Sequence, residues 1–156
     1  MKLKLLGAIA ALALVAACES TPDQSGAASG AGAGAGPRPG SQEDLVANVG
    51  DRVFFDFDRY NIRSDQQTTL ERQANWLGQH GAVNVQVAGH TDERGTREYN
   101  LALGQRRASA ARDFLVARGV ASARISTISY GKDRPIALGS NEEAWAQNRV
   151  AITSVR

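Results

Sequence analysis

The sequence has few of the residues that usually carry catalysis, redox chemistry or covalent cross-links. Among 156 residues there are one cysteine, two histidines, one methionine and four prolines, and aromatic residues make up only 6%. A lone cysteine cannot staple the fold, so Cys18 is either modified or left as an exposed thiol. His80 and His90 are too few for an ordinary catalytic metal centre, which draws three or four ligands from separate elements. The run His90-Thr91-Asp92-Glu93 could be read as a metal or acid–base cluster, but no second histidine is placed to complete it. Neither an enzyme nor a cofactor or bound metal is expected. A basic excess is also missing. The formal charge is +2, but Lys2 and Lys4 lie in a segment expected to be removed, and the remaining basic residues only balance the 16 acidic ones. A sequence-independent grip on nucleic acid needs more than that. No apolar run approaches the about 20 residues that a membrane-crossing helix takes.

The first segment has the form of a secretion signal. Lys2 and Lys4 precede an apolar run at residues 5–15, and the small residues Ala16 and Ala17 follow. Val15-Ala16-Ala17-Cys18 resembles the lipobox of bacterial lipoproteins, in which the cysteine becomes the acylated N-terminus. Residues 1–17 are therefore expected to be a signal peptide that is removed. Acyl chains on Cys18 would hold the protein on a membrane, at about 0.8 kcal/mol per buried CH₂. Glu19 is not the aspartate that favours inner-membrane retention in well-studied sorting systems, which points to the outer membrane, with the folded part facing the periplasm.

Residues 18–45 read as this cysteine plus a linker. The run SGAASGAGAGAGPRPGSQ is glycine, alanine, serine and proline, and it offers too little apolar surface to pack. About 26 such residues give a typical end separation near ~28 Å, the dimensions of a tether.

A single domain is expected over residues 46–156. Val53, Phe55 and Phe57 alternate as on one face of a strand at residues 52–58. Ser64 followed by Gln67 fits a capping box that starts a helix near Asp65. In that helix Leu70, Ala74 and Leu77 recur at helical spacing, with Trp76 beside them. A strand at 83–88, a helix at 97–118 ending at Gly119, a strand at 125–130, a short helix at 142–147 and a last strand at 150–155 complete the chain. This order, β-α-β-α-β-(α)-β, gives an α+β fold: a two-layer sandwich of helices on a mixed sheet.

Chemistry concentrates in residues 83–115. Here an alternating strand runs into the charged loop 89–96 and then into a long helix with the stripe Gly104, Ala108, Ala111 and Leu115. Arg107 starts on the inward-turned flank of that helix, whereas Arg106, Arg112 and Arg118 point elsewhere. A guanidinium beside a packed stripe is costly without a partner, and Asp92 is the nearest anion in sequence. Such a pair is either a brace for the loop or part of a ligand site.

These residues also carry a resemblance. Gly89-His-Thr-Asp-Glu-Arg-Gly followed by Asn100-Leu-Ala-Leu-Gly-Gln-Arg-Arg-Ala108 resembles the signature of OmpA-like peptidoglycan-binding domains. FFDFDRYNIRSD, GHTDERGTREYN and SYGKDRPIALG extend the likeness over residues 50–153, and the lipobox and linker match the family's lipid-anchored members. The resemblance implies a noncatalytic domain that binds the diaminopimelate of peptidoglycan stem peptides. Asp92 would engage the ligand's ammonium and Arg107 its carboxylate. Backbone amides around Phe57 and Asp58 would help, and His90, Thr91, Asn100 and Leu103 would shape the pocket. It further implies partners in the Tol system, the TolB β-propeller first and TolA as a second candidate. One departure stands out: Asn148-Arg149-Val150 replaces the usual Asn-Arg-Arg, which bears on the outer edge of the site or on a partner contact. The physical chemistry agrees, because a free amine and a carboxylate on one carbon ask for one fixed anion and one fixed fork of donors.

Overall fold

The structure of the protein, a computed structural model, describes residues 36–156. The expected signal segment, Cys18 and the expected linker as far as residue 35 lie outside the described residues. Ordered packing begins before Val46. A single turn of helix, α1 (Gln42–Asp44), runs into a π-helical turn at Leu45–Val49. Ser41 caps it, its hydroxyl accepting from the Asp44 amide. The Asp44 carboxylate accepts from Gly40 N, Asn48 Nδ2 and Trp76 Nε1. Leu45 is fully buried in the core. The linker expected to reach residue 45 therefore gives way to folded chain about five residues earlier. Short polar sequence with one buried leucine carries no period by which to find such an anchor.

The remaining elements follow in order: β1 (Arg52–Phe54), α2 (Ser64–Gln79), β2 (Val85–His90), α3 (Arg97–Ala117), a 3₁₀ turn at Ser122–Arg124, β3 (Ile125–Gly131), α4 (Glu142–Asn148) and β4 (Val150–Val155). The sheet order is β1-β4-β2-β3. β4 runs antiparallel to β1 and β2, while β2 and β3 pair in parallel, as the crossover through α3 requires. This is the mixed sheet with helices on it that the sequence implied. α3 lies over β2 and β3, and α2 packs beside it towards β1. Leu70, Leu77, Val85, Val87, Ala108 and Leu115 meet in the core between the layers.

Two local expectations fail. Arg63, not Ser64, is the N-cap residue of α2 and makes no side-chain cap, so the capping box does not form. The nearby Gln66 side chain is used elsewhere, accepting from Phe54 N at the edge of β1. Phe57, expected on one strand face with Val53 and Phe55, is 56% exposed while they are buried. β1 ends at Phe54, and a turn at residues 56–59 follows, closed by Arg59 N donating to Asp56 O at 3.2 Å. Asp58 sits in that turn with φ 55°, a left-handed conformation that aspartate tolerates better than most residues.

The approach of α3 to the sheet is set by glycine. A Cβ added at Gly89 would overlap the Gly104 carbonyl oxygen, backbone that cannot step aside. Gly89→Ala is expected to cost at least about 1–3 kcal/mol, as overpacking does. In thermal unfolding Gly78→Ala is the matched control: nothing lies within 4 Å of its added carbon, and alanine suits the helix interior better. The first variant should melt several degrees lower and the second no lower than the parent.

Candidate functional site

The loop between β2 and α3 opens beside the turn at residues 56–59. Together they enclose a cavity of about 190 Å³. Phe57, Asp58, Thr91, Asp92, Asn100, Leu103 and Arg107, all named from the sequence, line it together with Arg94, Gly95 and Tyr99. His90 does not join them. The pairing of β2 with β3 shifts register between Gly89 and His90, which breaks the strand alternation. The imidazole lies elsewhere, its Nδ1 3.0 Å from the Arg134 carbonyl and its ring against Tyr130. Burial lowers its pKa and so favours neutral imidazole. Its link to the site is through its backbone carbonyl.

That carbonyl is one of three held by Arg107. Nη1 donates to His90 O at 2.8 Å, Nε to Arg59 O at 2.8 Å and Nη2 to Asp56 O at 3.1 Å. The expected ion pair with Asp92 is therefore not formed. Arg107 is 1% exposed, and it offsets that burial by bridging the turn to the end of β2 with backbone acceptors. Desolvation pushes its pKa down to about 10 against the pull of Asp92, so it is still a cation at neutral pH.

Asp92 is 4% exposed and is paired with two other arginines. Arg94 donates through Nε to Oδ1 at 3.2 Å and through Nη2 to Oδ2 at 2.7 Å, and its amide donates to Oδ1 as well. Arg149 Nη1 stands 3.5 Å from Oδ2. Burial by itself would raise the Asp92 pKa, but these hydrogen bonds, those of Arg94 foremost, outweigh it and hold the carboxyl below its usual value. Arg149 is anchored from behind by Phe55 O and by Glu142 at 2.6 Å. Sequence reasoning noted the Asn148-Arg149-Val150 motif but gave Arg149 no part in the site. Val150, the departure in that motif, is fully buried as the first residue of β4, opposite Phe54, and so is a core residue.

The other residues build the frame. Thr96 caps α3, its hydroxyl accepting from Tyr99 N. Asn100 Nδ2 donates to Arg94 O and Thr96 O, which fixes the loop beside the cavity that Asn100 also lines. Thr91 N donates to Gly131 O, and its Oγ1 is buried without a partner among the described residues. Tyr99 OH donates to Asp58 Oδ1, and Leu103 supplies an apolar wall. The amides of Phe57 and Asp58, two residues that line the cavity, make no hydrogen bond among the described residues. One sunken carboxylate, one sunken guanidinium and two free amides around a small cavity suit a group that bears both charges. Among the described residues no group of His, Cys, Asp or Glu is arranged to hold a metal ion.

Known proteins agree with this architecture. The OmpA family model matches residues 54–149. A peptidoglycan-associated lipoprotein of Mesorhizobium japonicum is 55% identical over 149 residues, 95% of this chain and 89% of that protein. Its counterpart in Rhizobium meliloti is 57% identical over 74% of this chain, a match that spans 65% of that protein. Among solved structures, the peptidoglycan-associated lipoprotein from Burkholderia pseudomallei superimposes with a TM-score of 0.66 at 45% identity, covering 68% of this chain and 90% of that one. On a model match over most of its folded part and identities of this size, the chain belongs to the OmpA family.

Proposed function

We propose that this protein binds peptidoglycan without covalent chemistry, by taking the free end of a stem-peptide diaminopimelate into the cavity between the 56–59 turn and α3. The carrying observation is that one small cavity has both Asp92 and Arg107 on its walls, each almost wholly buried and each charged at neutral pH. Diaminopimelate ends in an ammonium and a carboxylate on one carbon. In this reading Asp92 meets the ammonium, while Arg107 and the free amides of Phe57 and Asp58 meet the carboxylate.

The rest of the chain extends the reading. The relatives are named peptidoglycan-associated lipoproteins, and Cys18 follows a lipobox-like sequence. With the acylated cysteine in the outer membrane and the domain on the wall, the linker would let both contacts form at once. The protein would act as a noncatalytic clip between outer membrane and wall. A place in the Tol system, with TolB and TolA as partners and a role in outer-membrane constriction during division, belongs to the same reading and rests on the family resemblance.

Co-sedimentation with purified, diaminopimelate-containing wall sacculi tests it. The sign of the pH effect follows from Asp92. Its folded pKa lies below the ordinary value near ~3.9, so its ionised form persists above that value and is lost only as pH falls through the lower folded one. Retention on sacculi is expected to be level from pH 7 to about 5 and to fail only below about 4. Absence of sedimentation at pH 7 would refute the function, and release near pH 6 would show that another group governs it.

A further inference from the structure

Arg94 occupies the position that this reading gives to the ligand. Its guanidinium grips both oxygens of Asp92 and lies between two aromatic rings, 4.0 Å from the centroid of Phe57 and 4.0 Å from that of Trp145. Its side chain is 32% exposed and lines the cavity. Arg107, by contrast, commits Nε and one N–H from each terminal nitrogen to backbone carbonyls. The Asp92 carboxylate is thus already neutralised by a partly exposed cation that faces the same cavity.

Two kinds of ligand would fare differently there. A simple ammonium must take Asp92 from Arg94 and leave the guanidinium with only the carboxylates of Glu142 and Glu93 nearby, neither bonded to it, so one close pair is gained and one lost. A carbon bearing both ammonium and carboxylate can insert between them. Its ammonium goes to Asp92, and its carboxylate, while facing Arg107 and the amides of Phe57 and Asp58, also takes the freed fork of Arg94, so every charge keeps a partner. The stack between Phe57 and Trp145 suits this exchange, because a flat, weakly hydrated guanidinium can slide between rings and still present two parallel N–H groups.

We propose that Arg94 is the specificity-determining residue of the cavity: it closes Asp92 to lone amines and opens it to a zwitterion. The inference rests on the stem-peptide reading above. It assigns to Arg94 the discrimination between stem peptides with diaminopimelate at the third position and those with lysine, whose side chain ends in an ammonium alone.

The test is calorimetric titration of the purified protein with two synthetic peptides, acetyl-L-Ala-γ-D-Glu-X-D-Ala, where X is meso-diaminopimelate or L-lysine. They differ only in the side-chain carboxylate. The parent is expected to prefer the diaminopimelate peptide by at least about tenfold, the worth of one charge-assisted pair. In Arg94→Gln the preference should collapse below about threefold, the lysine peptide binding better and the diaminopimelate peptide worse. Arg94→Lys keeps a cation beside Asp92 and with it the loop, but lacks the fork. Its preference should fall between the two, and it carries the test if the glutamine variant melts below the working temperature. A parental ratio in the folded variants would make Arg94 a mere brace and overturn the proposal, leaving the cavity as the diaminopimelate site. A parent that binds neither peptide would overturn the stem-peptide reading and this inference with it.

Discussion

Asp92→Asn is expected to lower affinity for a diaminopimelate stem peptide by about 100-fold or more while leaving the fold intact. Asparagine keeps the shape of the side chain and an oxygen for the Arg94 amide, so the loop retains its geometry. The negative charge is lost. A hydrogen bond to a charged group contributes about 1.5–3 kcal/mol, roughly 10- to 150-fold in affinity. The deficit grows because the incoming ammonium would then face Arg94 and Arg149 with no carboxylate between them. Stability should suffer less. Arg149 retains Glu142 and Phe55 O, and Arg94 retains its aromatic stack. A cost near ~1 kcal/mol would lower the melting temperature by only a few degrees in a domain of this size. Titration and melting curve belong on the same preparation. Undiminished affinity would remove Asp92 from the site.

Arg107→Lys should show the opposite balance, with a large loss of stability. A lysine ammonium can reach one of the carbonyls of Asp56, Arg59 and His90 but cannot span all three. An acceptor left without a donor costs about 1–3 kcal/mol where it is buried, as at His90 O, and less where the bond is only part-buried, as at Asp56 O and Arg59 O, so the loss is about 2–4 kcal/mol. That is a large part of the 5–15 kcal/mol that typically separates folded from unfolded protein. The melting temperature is expected to fall by about 10 °C or more. Arg106→Lys is the control, since Arg106 is exposed on the same helix and its replacement should stay within about 0.5 kcal/mol. A melt unchanged in both would mean that Arg107 does not hold the turn. The arginine read from sequence as a ligand-binding group is thus also the fastener of the loop that forms the site.

The difference between sequence and structure here is one of periodicity against partnership. α2, β2 and α3 were legible because each repeats apolar residues at the period of its backbone, and β4 runs over Val150–Val155 as read. Phe57 misled because the alternation Val53-Phe55-Phe57 continues past the end of β1, where the Asp56–Arg59 hydrogen bond turns the chain outward. His90 misled because a register shift interrupts the strand just before it. The family resemblance named seven residues that the fold brings around one cavity, but not the partners they take there. Proximity in sequence suggested Asp92 for Arg107. Folding instead gave Asp92 to Arg94, two residues away, and to Arg149, 57 residues away. No local pattern encodes the second of these. The fork of Arg107 is satisfied by carbonyls, which every residue has and which therefore leave no trace in a sequence.

The most direct measurement of the central claim is a residue-resolved NMR titration of the isotope-labelled protein with acetyl-L-Ala-γ-D-Glu-meso-diaminopimelyl-D-Ala. Binding in the cavity predicts that the amides of Phe57, Asp58, Thr91, Asp92 and Gly95 move most, with the Phe57 and Asp58 protons shifting downfield as they acquire a carboxylate acceptor. Amides in the middle of α2, remote from this cavity's lining, should stay in place. Perturbations centred instead on the neighbouring cavity lined by Lys132, Pro135, Leu138 and Trp145, with Phe57 and Asp58 unmoved, would contradict the account.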